Sequence, residues 1–205
     1  IVVNANTVTL QNGGTLSAKT SGTETTATGG AITVTAEQMV LSNLALVTAE
    51  TNGVAPAGVV EINTGSLAIN SGSQIRSSSG AAVPPVVLAL APPLTGGTVS
   101  VQGRTGAGSL ADAVSIDGTG SGIFTGTEGV RPGGDLNLSA QSVSISNGAL
   151  VTAATTGAGT GGAVTINAGN TFASSAGTVS SAASQAQGGD ITITARSAAT
   201  IDALT

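Results

Sequence analysis

The sequence predicts an all-β fold: a right-handed parallel β-helix, or β-solenoid, with three short strands in each coil of about 28 residues. A glycine-led phrase recurs along the chain as GGAITVTA, GGDLNLSA, GGAVTINA and GGDITITA. Apolar and polar residues alternate within each copy, which is the pattern of a half-buried strand, and no stretch sustains a helical period. The fold class rests on this combination of repeat and alternation.

The period follows from the second apolar position of each phrase, which lies at Val3, Val34, Ile62, Val101, Leu138, Ile166 and Ile193. The later steps, 166 − 138 = 28 and 193 − 166 = 27, give the basic unit, whereas 101 − 62 = 39 and 138 − 101 = 37 mark two coils with insertions. Periods of about 20 to 50 residues indicate solenoids, propellers or arrays. We expect one β-solenoid domain over residues 1–205 with six to seven coils, an apolar Pro-rich insertion at 81–96 and a second insertion at 103–113.

Each repeat holds three strand-like stretches, typified by AVTINA, VSISNG and LVTAAT. The alternation turns apolar residues inward in all three: Val164, Ile166 and Ala168; Val143 and Ile145; Val151 and Ala153. Each strand is expected to pair with its counterpart one coil away, at about 4.8 Å. The inward residues then stack in columns, one of them formed by Ile32, Val60, Val99, Leu136, Val164 and Ile191. With aromatic residues at 1%, the interior is expected to be narrow and aliphatic.

The corners between strands carry residues that tolerate left-handed backbone. Asn12, Asn43 and Asn147 occupy one place, just after the second strand, and we expect them to form a structural ladder at that corner. Two other repeat folds fit less well. A propeller blade needs four antiparallel strands in about 40 residues, and a calcium-binding roll needs a period of about nine residues.

Composition excludes several classes of function. The chain has no Cys and no His, which removes Ser-His-Asp and Cys-His catalysis and cysteinyl zinc sites. A net charge of −5 disfavours nucleic acid as a partner, and no run reaches the roughly 18 to 20 apolar residues of a membrane span. The GAGTGG stretch at Gly157–Gly162 matches a dinucleotide-binding pattern but precedes a strand instead of a helix. We predict no enzyme and no cofactor, and we assign no catalytic, cofactor-binding or metal-binding residue.

Carboxylates are the remaining candidates for chemistry. Asp112 and Asp117 lie around the second insertion with Arg104, where the three are placed to approach one another. Asp135 and Asp190 occupy equivalent positions on coils separated by one that bears Ala163. The 10 acidic residues are more simply explained as solubilising groups that keep outer edges from pairing. A polysaccharide-cleaving or calcium-binding site stays an alternative.

The two phenylalanines receive different predictions. Phe172 falls at an inward position and is expected in the core, whereas Phe124 adjoins a glycine-rich corner and is not assigned.

The stretch AAVPPVVLALAPPL, residues 81–94, is apolar and carries two Pro-Pro pairs. Proline ends strand pairing, so this segment is expected to leave the solenoid as a loop. One interpretation is a loop folded against its own wall. The other is an interaction surface, since large exposed apolar patches mark partners. Its residues are Val83, Pro84, Pro85, Val86, Val87, Leu88, Leu90, Pro92, Pro93 and Leu94.

The unit GGDLNLSAQSVSISNGALVTAATTGAGTGGAVTINAG resembles repeats of the filamentous haemagglutinin family. NGALVTAATTGAGTGGAVTINA is similar to repeats common in the cyanobacterial members of that family. The family comprises large secreted bacterial β-helical proteins, many exported by two-partner secretion, and the likeness covers residues 1–80 and 133–195. The resemblance implies a secreted protein of a Gram-negative-type bacterium, located outside the cell or on its surface. It implies no catalytic residue.

These observations predict a structural and adhesive β-solenoid module of an extracellular surface or filament protein, acting as a rigid scaffold through protein–protein contacts. The expected partners are other copies or neighbouring modules, end to end, and host or cell-surface glycans or proteins. Neither end of the sequence shows the polar cap that solenoids need. A self-assembling filament subunit that stacks end to end is one alternative, and a polysaccharide-binding or polysaccharide-cleaving β-helix protein is another.

Overall fold

A computed structural model of the chain describes residues 1–21, 29–52, 56–79, 96–128 and 131–202. These residues contain strands and no helix. The strands are β1 (Val2–Leu10), β2 (Thr15–Ser17), β3 (Ala31–Leu41), β4 (Leu46–Thr48), β5 (Val59–Ile69), β6 (Gln74–Arg76), β7 (Thr98–Gln102), β8 (Ala111–Asp117), β9 (Gly122–Phe124), β10 (Leu136–Ser146), β11 (Leu150–Thr152), β12 (Val164–Ser175), β13 (Thr178–Ser180), β14 (Ile191–Ala195) and β15 (Ala198–Ile201).

The strands form two parallel sheets that run along one axis. The larger sheet has the order β1-β3-β5-β7-β10-β12-β14, in which β8 also pairs with β5 and β10, and β15 pairs with β12. The smaller sheet stacks β2-β4-β6-β9-β11-β13, one three-residue strand from each of six coils. A row of isolated parallel bridges joins successive coils three residues after each short strand, at Thr20, Thr51, Ser79, Thr127, Thr155 and Ala183. The parallel β-solenoid is therefore confirmed, while its right-handed winding, the rule for parallel crossovers, stays a prediction.

The first and second predicted strands of a coil are joined into one longer strand. In β3 the burial pattern alternates up to Ala36, shows two exposed residues at Glu37 and Gln38, and then alternates again. The reset marks a corner that the strand turns without leaving the sheet, because pairing resumes at once on the next coil. The coils that begin with β1, β3, β5, β10 and β12 thus consist of one bent strand and one short strand, whereas β7 and β8 are separated by the second insertion.

The inward residues stack as the alternation predicts. Ile32, Val60, Val99, Leu136, Val164 and Ile191 are successive partners along the large sheet. The inner members of this column are fully buried, whereas Ile191, on the last described coil, keeps 37% of its surface exposed. Phe172 is 1% exposed and lies in the core, as predicted. The other buried apolar side chains are aliphatic, and buried Ser and Thr residues such as Ser77 and Thr125 bond to backbone carbonyls.

The strand ends can be compared with the predicted bounds of the two insertions. The second insertion, predicted at 103–113, is shorter: β7 ends at Gln102 and β8 already begins at Ala111, so residues 111–113 belong to the strand. Pairing of Ala113 with Ser66 holds them in the sheet. The first insertion, predicted at 81–96, lies outside the described residues except for Gly96, and so does the predicted interaction surface from Val83 to Leu94.

The paired glycines of the recurring phrase close each coil. The second glycine donates its N–H to a carbonyl just after the short strand, as Gly134 does to Thr125 at 2.8 Å and Gly162 to Ala153 at 2.9 Å. These glycines also stack tightly. A Cβ on Gly134 would overlap the carbonyl oxygen of Gly97, and one on Gly162 would overlap that of Gly134. The chain repeats glycine here because adjacent coils leave no room for a side chain.

The asparagine corner has a left-handed backbone. Asn12, Asn43 and Asn147 have φ angles of 54°, 52° and 53°, and Asn43 Nδ2 donates to Asn12 Oδ1 at 3.4 Å. The register places Ser71, Gly118 and Ala176 at the same corner of the other three coils. Their φ angles are 53°, 88° and 52°. The corner thus keeps one conformation through six coils whatever residue fills it.

Leu44 occupies a strained position just after this corner. Its φ is 64°, where the corresponding residues of neighbouring coils are Gly13 and Gly72, both with φ of 75°. Left-handed backbone costs a residue with a Cβ about 1–2 kcal/mol. Leu44 is 71% exposed, so little packing offsets that cost. We expect Leu44→Gly to raise the free energy of unfolding by about 1 kcal/mol.

Urea unfolding followed by circular dichroism measures this change. Leu44→Ala is the matched control, because it removes the same exposed side chain and keeps the left-handed strain. An equal gain for the alanine variant would show that the leucine side chain, and not the backbone, is unfavourable.

Candidate functional site

The acidic residues singled out in the sequence do not converge. Arg104 forms an ion pair with Glu37, not with Asp112 or Asp117, so that prediction is wrong. The physical reason is Gly65, which occupies the intervening coil beside Glu37 and has no side chain to block the approach.

Asp117 has hydrogen-bond partners of its own at the asparagine corner. Its Oδ1 accepts from Ser146 Oγ at 2.6 Å and from Asn147 Nδ2 at 2.7 Å. The bond from Ser146, followed by that from Asn147, lowers the pKa of Asp117 below its usual value, because both favour the charged carboxylate. A carboxylate held ionised in this way joins two coils and is poorly suited to donate a proton.

Asp135 and Asp190 lie where the sequence predicts, on coils separated by that of Ala163. Asp135 Oδ1 accepts the backbone N–H of Ala163 at 3.0 Å, so this acid also binds the neighbouring coil. Within the described ranges, no group of three or more His, Cys, Asp or Glu residues is placed to hold a metal ion.

A concavity lies on the outward face of the small sheet, and we call it the wall groove. It has a volume of about 350 Å³, and its lining residues come from four successive coils. The lining includes Glu50, Asn52, Arg76, Ser79, Phe124 and Glu128.

The sheet register builds the floor of the wall groove. Arg76 is the last residue of β6 and pairs with Phe124, the last residue of β9, while Thr48 of β4 pairs with Arg76 from the other side. Outward positions at the same level of successive strands lie about 4.8 Å apart, so these side chains are neighbours along the axis.

Two interactions fix the Arg76 side chain. Its guanidinium carbon lies 5.2 Å from the centre of the Phe124 ring, within the range of a cation–π contact. Its Nη1 lies 3.5 Å from Glu50 Oε1, and the other carboxylate oxygen of Glu50 lies 2.9 Å from Lys19 Nζ. Glu50 thus bridges cations on two coils, with its side chain only 15% exposed. The guanidinium is held over the aromatic ring at the centre of the groove.

Unpaired polar atoms concentrate at the same place. Among the described residues, three buried side-chain atoms have no hydrogen-bond partner: Thr48 Oγ1, Arg76 Nε and Ser79 Oγ. Arg76 and Ser79 line the wall groove, and Thr48 is the strand neighbour of Arg76. Folded proteins leave few such atoms unpaired, and these three are shielded from solvent, so they lie beneath the groove surface.

The sequence alone does not reveal this groove, because its pattern assigns no role to Phe124 and does not single out Glu50 or Arg76. The available signal is the register of the short strands, which puts LVT, QIR, GIF and LVT side by side with Arg76 against Phe124. The two residues are 124 − 76 = 48 positions apart because both insertions lie between them.

No protein-family model matches the chain, and no curated protein or solved structure matches it. In the part of the chain that the structure describes, no helix is long and apolar enough to cross a membrane. The described residues form a parallel β-solenoid of six stacked coils, with the wall groove on the small sheet and left-handed backbone at the asparagine corner.

Proposed function

We propose that the chain is a structural and adhesive β-solenoid module of an extracellular bacterial surface or filament protein, of the filamentous haemagglutinin type that its repeats resemble. In this role the molecule acts as a stiff rod whose ends pair with further coils and whose walls contact other molecules. The extracellular location rests on the resemblance of the repeats.

One observation carries the structural part: the described coils pair with one another through parallel strands in a single register, as Ile32 pairs with Val60 and Val60 with Val99. A parallel edge of this kind, with apolar side chains, favours pairing with another strand. A neighbouring module is the partner we propose, and a second copy of the chain, stacked as a filament, is the alternative.

The enzyme alternative receives less support. A polysaccharide-cleaving site needs free acids that converge in one cleft. Asp117 and Asp135 instead bind different partners on neighbouring coils, and Glu50, which lines the wall groove with Glu128, is paired with Lys19 and Arg76. These contacts join coils to one another, as a scaffold requires.

Blocking one edge tests the proposal. We expect the unmodified protein to associate as its concentration rises, and the double variant Ile191→Lys with Ile201→Lys to lose that association. Inward-pointing charges on an edge strand prevent pairing, because a second coil would bury them. Sedimentation velocity measures the association, and circular dichroism verifies that the inner coils stay folded.

Val59→Lys is the matched control, because Val59 is 48% exposed but lies on β5, inside the stack. Association should survive this change. A protein that stays monomeric before any substitution, or a double variant that associates as the unmodified protein does, would contradict the proposal. Electron micrographs separate its two forms: a filament subunit gives long fibres, whereas a module gives rods of roughly 30 Å or short multiples of that length.

A further inference from the structure

We propose that the second insertion is a clamp that joins coils which are not neighbours, and so couples five successive coils from that of β3 to that of β12. The insertion occupies residues 103–110, between the end of β7 and the start of β8, and we call it the corner clamp. Such a clamp goes beyond the proposed function, because it governs how the coils stay together whatever the rod contacts. Its test does not involve edge association, so either proposal can fail while the other holds.

The corner clamp is an addition to a coil that can close without it. Asn63 of β5 pairs with Gln102, and Ser66, three residues further on, pairs with Ala113. Without the 110 − 103 + 1 = 8 residues of the clamp, Gln102 would join Ala111 directly, and Ala113 would again follow three residues later. The strand would therefore keep its register. What the clamp adds to the coil is its own set of contacts.

The corner clamp is held in shape by its own backbone bonds. Gly103 N–H donates to Ser109 O at 3.1 Å, Gly106 N–H to Gly103 O at 3.0 Å, and Ser109 N–H to Gly106 O at 3.1 Å. Gly106 and Gly108 have φ angles of 84° and 85°, which glycine adopts without strain. A loop fixed in this way holds the side chains at its two ends in defined positions.

The first arm of the clamp is Arg104, which reaches the coil two steps back. Its guanidinium forms an ion pair with Glu37 of β3, across the coil of β5. Gly65 lies at the corresponding corner of β5, and a Cβ added to it would lie 2.9 Å from Glu37 Oε1. The Glu37 side chain therefore lies over Gly65, and a side chain at position 65 would displace it.

The second arm is Leu110, which reaches the coil two steps forward. Its Cδ1 lies 2.5 Å from the place that a Cβ on Gly169 of β12 would take. Gln141, at the corner of the intervening β10, has its Oε1 2.7 Å from the same place. Both side chains thus pack over Gly169. Gly65 and Gly169, on opposite sides of the clamp, leave room for one arm each.

Contacts between coils two steps apart change how the solenoid opens. In a solenoid each coil otherwise contacts only its neighbours, so outer coils can open separately. Here, opening the coil of β3 breaks the Arg104 ion pair, and opening the coil of β12 breaks the Leu110 contact. The clamp therefore resists separate opening over four steps of about 4.8 Å, or about 19 Å of the rod. The coils of β1 and β14 lie beyond both arms.

Amide hydrogen exchange measured by NMR tests the clamp. Arg104→Met should lower protection in β3 about threefold, the effect of an exposed ion pair, and change protection in β12 less than about 1.5-fold. Leu110→Ala should do the reverse and lower protection in β12 about fivefold, because it removes a half-buried leucine. Each variant is the matched control for the other. Equal changes in both strands would mean that the substitutions weaken the whole fold, and would overturn the proposal.

Deletion of residues 103–110 removes both arms at once. It should lower protection in β3 and β12 by the factors expected for the two substitutions, and change protection in β1 and β14 less than about 1.5-fold. A shortened chain that folds and keeps the original protection in β3 and β12 would overturn the proposal. Circular dichroism verifies folding of the shortened chain, and the two substitutions decide the outcome by themselves if it does not fold.

A double-mutant cycle assigns the first arm. Glu37→Gln should lower protection in β3 as Arg104→Met does, and the double variant should lower it no further, because each of the three variants loses the same ion pair. Effects that add would show that the two residues act separately, and would overturn the assignment of Arg104 as an arm of the clamp.

Discussion

Replacing Gly134 with alanine is expected to lower the free energy of unfolding by about 3 kcal/mol or more. The added Cβ would overlap the carbonyl oxygen and carbon of Gly97 on the preceding coil, which are backbone atoms with no freedom to rotate away. The same displacement would strain the bond from Gly134 N–H to Thr125 O that closes the coil. Because Gly162 stacks against Gly134 in turn, the strain reaches a third coil. Chemical denaturation followed by circular dichroism measures the loss.

Gly188→Ala is the matched control for this substitution. Gly188 belongs to the same phrase in the last described coil and is exposed, and a Cβ added to it would lie 3.0 Å from its nearest neighbour, the Ser181 carbonyl oxygen. We expect a loss below about 1 kcal/mol, since a small shift of the exposed backbone relieves that contact. Similar losses at both positions would mean that glycine is needed for chain flexibility and not for close stacking.

Replacing Phe172 with alanine is expected to lower the free energy of unfolding by about 3–5 kcal/mol. Phe172 is 1% exposed and pairs with Val143 on one side and the small Ala199 on the other. Truncation therefore opens a cavity near the last coil that neither neighbour can fill. In a solenoid each coil contacts only its neighbours, so protection against amide hydrogen exchange should fall first in β12 to β15.

Phe124→Ala provides the comparison for this loss. Phe124 is half-buried on the outer wall under the Arg76 guanidinium. Its truncation removes a cation–π contact and some packing but leaves no enclosed cavity, so the loss should be about half that at Phe172 or less. Equal losses, or exchange that rises uniformly along the chain, would contradict a core built from independent coil-to-coil contacts.

The features that were predictable from the sequence are those set by periodicity. Alternation places Ile32, Val60 and Leu136 inward, and the repeat places them in one column, which the pairing confirms. Side-chain period and coil length are properties of the backbone that single residues change little. The aliphatic core and its one aromatic side chain, Phe172, followed from the same alternation.

The features that escaped prediction depend on exact neighbours across coils. Ser71 and Ala176 hold left-handed backbone without being residues that favour it, because the register of the coil imposes the corner on them. Arg104 reaches Glu37 only because Gly65 leaves the path open. The wall groove depends on the pairing of β6 with β9, which brings Arg76 beside Phe124 although the two are 124 − 76 = 48 positions apart. Local propensity contains none of these relations.

The closing glycine bond also bears on how proteins of this architecture change length. Gly133 and Gly161 begin successive phrases 161 − 133 = 28 residues apart, and each coil is sealed by its own bond. A gene that gains or loses one whole unit therefore lengthens or shortens the rod and keeps its cross-section, whereas a slip of one residue would turn the aliphatic columns outward. Selection on such a gene can therefore change the length of the rod in steps of one coil, while the packing of the core stays the same.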